Sequence, residues 1–228
     1  MKKIVKFPAS LLAMAVIIMI VVHGCKKDET DPSAIKDGDG NTYTSVSIGS
    51  QIWLKENLKT TKFNDGTQIP LVTALEDWRE LTSPGCCWYD NNASSFKDSY
   101  GALYNWFAVS SGKLCPTGWH VPSHDEWETL VTNLGSNTAG GQLKEMGTTH
   151  WLSPNEGASN STGFTALPGG QRAKYGSYSD MGSTGYWWTS TQYSSSNAHY
   201  HIIYHNYAYA DDCDRDKECG LSVRCIKD

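Results

Sequence analysis

The chain has 228 residues, of which 39% are hydrophobic and 19% charged, so it is too apolar and too lightly charged to be disordered. Its length favours one domain of moderate size. The formal net charge is −5, but the first 24 residues carry three Lys and no acid, so the remainder has 16 basic and 24 acidic residues. This acidity, without a local basic patch, argues against any nucleic-acid partner.

The N-terminus predicts a lipoprotein signal peptide over residues 1–24. Three Lys precede the apolar run from Leu11 to Val22, which is shorter than the about 20 apolar residues of a membrane span. The run ends in Val22-His23-Gly24-Cys25, which resembles the lipobox of bacterial lipoproteins, although His23 departs from the usual small residue. The resemblance implies that Cys25 is lipidated and anchors the protein to a membrane.

Residues 25–36 are predicted to be the lipidated Cys and a flexible tether. Lys26-Lys27-Asp28-Glu29 resembles the surface-export signal of Bacteroidetes lipoproteins, and a solvated polar tether is the alternative. We therefore expect a lipid-anchored outer-membrane protein that faces the cell surface. A single domain should fill residues 37–228.

Strands are predicted first, from the alternation between Thr42 and Ile52, with Gly49-Ser50 as a turn. Three helices follow in chain order. The first begins at the capping box of Thr73 and Glu76 and runs through Leu81. The second begins at Asp98, has its apolar positions at Tyr100, Leu103, Tyr104 and Phe107, and stops at Gly112.

The third helix has the clearest signals. Ser123 and Glu126 form a capping box, one apolar stripe runs from Trp127 to Leu134, and Gly135 ends it. A short helix over Gln142–Met146 is also predicted. Beyond it the chain is rich in Gly, Ser, Asn and Tyr, and strands are expected over 185–190, 199–209 and 221–226. Helices that cluster in the first half, with strands at both ends, predict an α+β fold.

Several segments together carry a resemblance to a known family. They are Ile48-Gly49-x-Gln51-x-Trp53-x₃-Asn57-Leu58, Cys87-Trp88-Tyr89, Tyr100-Gly101-x-Leu103-Tyr104-Asn105-Trp106, Leu114-Cys115-Pro116-Thr117-Gly118-Trp119-His120-Val121-Pro122, Glu126-Trp127, Gly163-Phe164-Thr165-Ala166-Leu167-Pro168-Gly169-Gly170, Gly185-Tyr186-Trp187-Trp188 and Ser222-Val223-Arg224-Cys225. In this order they resemble the Fibrobacter succinogenes major paralogous domain family over nearly all of residues 37–228. Members of that family are typically secreted or lipid-anchored bacterial proteins of undefined activity.

A weaker resemblance concerns the fold. Gly118-x-His120-x-Pro122-Ser123-x₂-Glu126-Trp127 and the closing Val223-Arg224-Cys225 look like segments of the formylglycine-generating sulfatase-modifying domain. That likeness implies a C-type-lectin-like fold, with short helices packed on a mixed antiparallel sheet and long irregular loops. It also implies a Cys115–Cys225 disulfide, which would close a loop of about 110 residues and stabilise the fold by roughly 4 kcal/mol in the chain-entropy model.

The other cysteines are less informative. Cys86 and Cys87 are adjacent and can join each other only through a strained ring, so we favour separate partners, with Cys213 and Cys219 as the candidates. Cys213 and Cys219 also lie where a formylglycine-generating enzyme keeps its reactive pair. Their spacing differs from that of the reactive pair in such an enzyme. Their acidic neighbours also argue against reactivity, because nearby acids raise the pKa of a thiol. We therefore expect no enzyme activity and no catalytic residue, and an envelope enzyme of this type remains the alternative.

Two polar patterns suggest metals. The acidic run from Asp211 to Glu218 predicts a solvated loop, with a calcium site as the alternative. His199, His201 and His205 would share one face of a strand and could bind zinc or copper, but the favoured interpretation is an exposed strand rich in Tyr and His. We therefore expect no cofactor and no metal site.

The aromatic residues are the best indication of function. Nine Trp and twelve Tyr stand against five Phe, and many lie in polar, turn-rich segments, as they do in binding surfaces. The candidate ligand-binding residues are Tyr204, Tyr207 and Tyr209, with Trp88 and Tyr89 as the next segment. Contacts should fall within residues 171–218. The predicted function is a non-enzymatic, lectin-like, cell-surface domain that binds an extracellular glycan or protein, and a structural envelope lipoprotein without a soluble ligand is a further alternative.

Overall fold

The computed structural model describes residues 1–2 and 34–228. Most of the signal peptide, Cys25 and most of the tether therefore lie outside the described residues. Ile35 and Lys36, which the sequence assigns to the end of the tether, pair with Thr42 and Tyr43 in a small antiparallel ladder. Both residues therefore pair with a segment of the predicted domain, although they precede its predicted start at residue 37.

The described helices are short. They are α1 (Leu75–Arg79), α2 (Ala93–Tyr100), α3 (Trp106–Val109), α4 (His124–Leu134) and α5 (Ala139–Leu143). The described strands are β1 (Ile35–Lys36), β2 (Thr42–Tyr43), β3 (Ser45–Ile48), β4 (Gln51–Leu54), β5 (Cys86–Cys87), β6 (Leu103–Tyr104), β7 (Trp119–His120), β8 (Gly169–Arg172), β9 (Tyr178–Met181), β10 (Thr184–Gln192), β11 (Asn197–Tyr204), β12 (Ala210–Asp216) and β13 (Ile226–Lys227).

Two antiparallel sheets organise the domain. One has the strand order β10-β11-β12, so that β11 is its central strand, and the other has the order β3-β4-β13-β7. Three further sheets have only two strands each within the described chain. The short helices and the antiparallel sheets confirm the α+β prediction.

The two ends of the domain meet in the four-stranded sheet. The closing strand β13 lies between β4 and β7, where Ile226 pairs with both Trp53 and His120. Next to it, Cys115 and Cys225 form a disulfide with a Cα–Cα distance of 6.1 Å. The disulfide that the resemblance implied is therefore confirmed, although the closing strand is shorter than predicted.

Helix α4 is the element that the sequence describes best. The Ser123 hydroxyl accepts the backbone N–H of Glu126, and the Glu126 carboxylate accepts the backbone N–H of Ser123 at 2.7 Å. The helix buries Trp127, Leu130 and Val131, and Gly135 follows its end as predicted. These contacts lie within a few residues of one another, which is why the sequence alone reveals them.

The prediction of one helix between Asp98 and Gly112 is wrong. Helix α2 ends where Gly101 adopts φ +76°, at a position where a Cβ atom would lie 2.4 Å from the carbonyl oxygen of Leu58. Leu103 and Tyr104 then pair with strand β5 instead of continuing the helix. A separate helix, α3, begins after Asn105. Strand pairing with a distant segment therefore overrides a helical periodicity.

Two further helix boundaries differ from the predictions. Helix α1 begins after Ala74 without a side-chain cap, so the capping box of Thr73 and Glu76 does not form. Helix α5 precedes most of the predicted 142–146 segment. Gly140 and Gly141 lie inside it, where close contacts with other segments leave no room for side chains.

Two hydrophobic clusters fill most of the domain. The main core contains Trp88, Tyr104 and Trp188 together with the disulfide. The second core contains Trp53 and Trp127 and lies under α4; its other buried members are Ile48, Leu130, Leu143, Trp151, Phe164, Ala166, Trp187, Ile203 and Ile226. A third, smaller cluster forms around Trp78, Cys87 and Leu103.

A buried arginine connects distant parts of the chain. Arg224 is 1% exposed and donates to the side-chain oxygen of Asn57 and to the carbonyl oxygens of Leu54 and Phe164, the last at 2.7 Å. The Trp187 indole donates to the same Asn57 oxygen at 2.9 Å. Because a buried charge is tolerated only when its donors are satisfied, this arrangement fixes the relative positions of the four segments.

Candidate ligand-binding surface

The loop between β11 and β12 brings three of the predicted binding residues together. Tyr204 ends β11, and its ring centroid lies 5.8 Å from that of Tyr207 in an edge-to-face contact. The Tyr207 and Tyr209 rings are stacked with centroids 5.0 Å apart. We call Tyr204, Tyr207 and Tyr209 the tyrosine surface. Tyr207 is 44% exposed, and the other two are half-buried.

A buried lysine holds this loop from behind. The Lys144 ammonium donates to the carbonyl oxygens of Tyr204 at 3.0 Å and Tyr207 at 2.9 Å. Lys144 is 0% exposed, and its ammonium lies 5.5 Å from the ring centroid of Trp151. Burial lowers the pKa of Lys144 to about 8, against an opposing effect of Glu156. No sequence pattern indicates this role, because a lysine near a helix end is ordinarily a solvated side chain.

Backbone contacts hold the rest of the loop. The N–H of Gly141 donates to the Ala208 carbonyl oxygen at 2.7 Å, and the N–H of Glu156 donates to the His205 carbonyl oxygen at 2.7 Å. Helix α5 approaches so closely that a Cβ atom on Gly140 would lie 2.2 Å from the carbonyl oxygen of Tyr209. The tyrosine surface is therefore a fixed arrangement of rings, although it lies on a loop.

The hydroxyls of Tyr204 and Tyr209 stay neutral near pH 7. Burial, followed by the nearby charge of Asp211, raises the pKa of Tyr204. Burial and Tyr207 likewise raise the pKa of Tyr209. Neutral phenols both donate and accept hydrogen bonds, so each ring combines an apolar face with a polar edge.

The Trp88–Tyr89 segment does not offer the binding surface that was predicted. Trp88 is 5% exposed and belongs to the main core, so its assignment as a ligand contact is wrong. Tyr89 is half-buried and packs against Phe96 and Tyr178, with ring centroids 5.3 and 5.2 Å away. Strand β5 carries the chain into the protein interior directly before Trp88, which explains the burial.

The predicted pairing of the other cysteines is also wrong. Cys86, Cys87, Cys213 and Cys219 are thiols in the structure, and only Cys213 among them is exposed. Cys86 points into the main core and Cys87 into the third cluster, because successive residues of a strand face opposite sides. Burial raises the pKa of Cys86 and Cys87, and raises that of Cys219 to about 11. These shifts are opposite to those of a nucleophilic cysteine.

The acidic run and the histidine-rich segment are strands of one sheet. Asp211, Asp212, Asp214 and Asp216 lie on β12, so the predicted acidic loop is a strand. Strand β11 is central and mostly buried, with His201 at 0% exposure, so it is not the exposed strand that was expected. His205 lies beyond the end of β11, and its Nδ1 is 3.0 Å from the carbonyl oxygen of Ser153. The three histidines therefore do not form one group.

A separate cleft of about 600 Å³ lies away from the tyrosine surface. Its lining includes Ile35 of β1 together with Ile52, Trp119 and Lys227 of the four-stranded sheet. The lining is mainly polar, and it contains none of the residues that the sequence selected.

The residues that carry the family resemblance are largely buried and structural. Trp53, Tyr104, Trp127, Trp188 and Arg224 are all less than 2% exposed. The chain belongs to the Fibrobacter succinogenes major domain family, whose model matches residues 46–227. No curated protein and no solved structure matches the chain. The C-type-lectin-like fold and the likeness to formylglycine-generating enzymes therefore stay predictions.

Proposed function

We propose that this protein is a cell-surface lipoprotein whose domain binds an extracellular glycan or protein ligand without catalysis. The contact residues are those of the tyrosine surface. The observation that carries the proposal is the contact between the three rings on a loop that a buried lysine and two glycines of α5 hold in place.

Rigidity supports this assignment. A ligand that meets an ordered loop does not have to offset the entropy of ordering it, so more of the contact energy appears as affinity. Flat tyrosine faces suit sugar rings and also protein side chains, and the hydroxyls at their edges supply hydrogen bonds. Tyr207 is the most exposed of the three and is the proposed central contact.

The lipid anchor is a proposal from the sequence around Cys25. Within the described residues, no helix is long and apolar enough to cross a membrane.

Metabolic labelling with an alkyne fatty acid should mark the wild-type protein and the Cys213→Ala variant, which keeps Cys25 and lacks the exposed thiol. The Cys25→Ala variant should remain unlabelled, and labelling of this variant would contradict lipidation at Cys25.

A soluble chain that begins at Lys26 tests ligand binding on a glycan array and against cell-surface extracts. Tyr207→Ser and Tyr209→Ser should weaken binding to each ligand found. Tyr175→Ser and Tyr193→Ser are matched controls, because these tyrosines are 63% and 60% exposed and lie outside the tyrosine surface. Equal losses in the controls, or full binding in Tyr207→Ser, would move the site elsewhere.

Thiol alkylation separates this proposal from an envelope enzyme of the formylglycine-generating type. In the folded chain we expect Cys213 to react and the buried thiols to react only after unfolding. Mass spectrometry of the alkylated peptides gives the site of each modification. Rapid modification of Cys219 in the native protein would favour the enzyme, because such an enzyme needs an accessible pair of cysteines.

A further inference from the structure

Helix α4 packs across the central strand β11 and brings together histidines that are far apart in the sequence. His124 is the first residue of α4, and His199 and His201 lie on one face of β11. The ring centroid of His124 lies 4.4 Å from that of His199 and 5.6 Å from that of His201. The backbone N–H of His124 donates to the Thr191 hydroxyl at 3.0 Å, which fixes this end of α4 against the sheet.

Four of the six ring nitrogens of these three histidines are buried and unpaired within the described residues. His201 is 0% exposed, and neither its Nδ1 nor its Nε2 has a hydrogen-bond partner among the described residues. The same is true of Nδ1 in His124 and in His199. Roughly 90% or more of buried polar groups in proteins have a partner. Four unpaired nitrogens in one place therefore point to a ligand, which can meet only one of the two nitrogens of His201.

Packing explains only part of this arrangement. The His201 ring stacks on Trp127 with centroids 4.9 Å apart and an interplanar angle of 15°. Stacking covers the face of an imidazole, whereas its nitrogens bond outward in the plane of the ring. The contact with Trp127 therefore accounts for the burial of His201 and leaves both nitrogens without a partner.

A carboxylate completes the group. Glu128 follows His124 by one helical turn, so both side chains lie on the same face of α4. Its Oε1 lies 3.9 Å from His201 Nε2, and the nearest donor atoms of His124, Glu128 and His201 all lie within 4.8 Å of one another. Two ligands of a tetrahedral zinc ion with bonds of about 2.0–2.1 Å are roughly 3.3 Å apart. Binding of zinc therefore requires side-chain rotations that bring the three atoms to that spacing.

We propose that His124, Glu128 and His201 bind one divalent transition-metal ion, and that zinc is the ion that fits these ligands best. Two imidazole nitrogens and one carboxylate oxygen suit zinc, whereas calcium and magnesium prefer oxygen ligands alone. The Glu128 side chain is 45% exposed, so the ion can enter from that side. Three protein ligands leave the fourth position of a tetrahedral ion to water.

His199 and Asp212 flank this site. Together with His124 they form a second group whose donor atoms also lie within 4.8 Å of one another. His199 stacks on the His124 ring and holds its orientation. The site is independent of the proposed ligand-binding function. Successive residues of a strand face opposite sides, so Tyr204, three positions after His201, lies on the other face of β11.

A zinc titration measured by isothermal titration calorimetry tests the proposal. The protein is the untagged soluble chain that begins at Lys26. We expect one zinc ion per chain. His124→Ala should weaken zinc binding by at least about 100-fold, since even the partners of metal ligands are worth 10–100-fold in affinity. Glu128→Gln, an exposed and isosteric change, should weaken it about 10-fold or more. Cobalt(II) should give the intense visible absorption of a tetrahedral nitrogen and oxygen site, and His124→Ala should remove that absorption.

His205→Ala is the matched control, because His205 belongs to the same sequence pattern but lies outside the group. It should bind zinc as the wild type does. Since replacement of the fully buried His201 can unfold the chain, circular dichroism must show that each variant is folded, and the decisive variants are His124→Ala and Glu128→Gln. No zinc binding by the wild type at micromolar concentrations would overturn the proposal. Unchanged binding in His124→Ala, or an equal loss in His205→Ala, would overturn it as well.

Discussion

The Trp88–Tyr89 segment and the tyrosine surface have the same appearance in the sequence and opposite places in the structure. Both put aromatic residues in a polar, turn-rich segment. Trp88 is 5% exposed in the main core, whereas Tyr207 is 44% exposed on a loop. The difference comes from what surrounds each segment. Trp88 follows a strand that enters the interior, and the loop of Tyr207 is held on the outside by Lys144. Aromatic composition therefore finds candidate segments without deciding which of them face the solvent.

The largest effect is expected from Trp88→Ala. Removal of a buried indole should lower the free energy of unfolding by about 3–5 kcal/mol, since the lost burial and the cavity both destabilise. Denaturant unfolding of the soluble chain measures this change. A loss below about 0.5 kcal/mol is typical of an exposed position. It would mean that Trp88 is exposed like Tyr207 and that the two segments do not differ in burial.

Cys225→Ser tests the same core through its disulfide. We expect a loss of about 2–5 kcal/mol, the usual effect of removing a native disulfide from a secreted domain. The variant should also show one new titratable thiol, at Cys115. Peptide mapping of the native protein supplies the control, because Cys115 must be found joined to Cys225. Any other pairing of Cys115 would contradict the structure.

Lys144→Met tests the support of the tyrosine surface. Two loop carbonyl oxygens lose a charged donor, so the free energy of unfolding should fall by about 1.5–3 kcal/mol. Lys113→Met is the control: Lys113 forms an exposed ion pair with Asp65, and such pairs are worth about 1 kcal/mol or less. Equal effects of the two substitutions would show that Lys144 does not hold the loop.

The pH dependence of stability sharpens the test of Lys144. Its pKa is about 8 in the folded protein, below the ordinary 10.5. Between these values the unfolded chain binds more protons than the folded one, so Lys144 makes the free energy of unfolding rise with pH across this interval. The difference between wild type and Lys144→Met should therefore increase from pH 8 towards pH 10. A difference that stays constant would contradict the lowered pKa.

The smallest effect on stability is expected from Tyr207→Ser. An exposed ring contributes little to folding, so the free energy of unfolding should change by no more than about 0.5 kcal/mol, while ligand binding weakens. Thermal unfolding and the binding assay, measured on the same preparation, separate the two effects. A large loss of stability would mean that Tyr207 is a core residue.

Features held by contacts between near neighbours were predictable from the sequence. The hairpin of β3 and β4 turns at Gly49-Ser50, and the capping box of Ser123 and Glu126 joins atoms three residues apart. The family and the α+β class also followed from segments that can be read in order along the chain.

Features that depend on partners far along the chain were decided by tertiary structure. Leu103 and Tyr104 satisfy a helical pattern, but they pair with Cys86 and Cys87 because that strand is within reach only in the folded chain. Lys144 reaches carbonyl groups 60 and 63 residues away, and its burial is tolerated because those groups accept its hydrogen bonds. His124 likewise meets His201 only when α4 lies across β11. Spacing along the sequence cannot encode such contacts, because it measures only the distance to neighbours on the same element, whereas burial and long-range pairing depend on how all the elements pack.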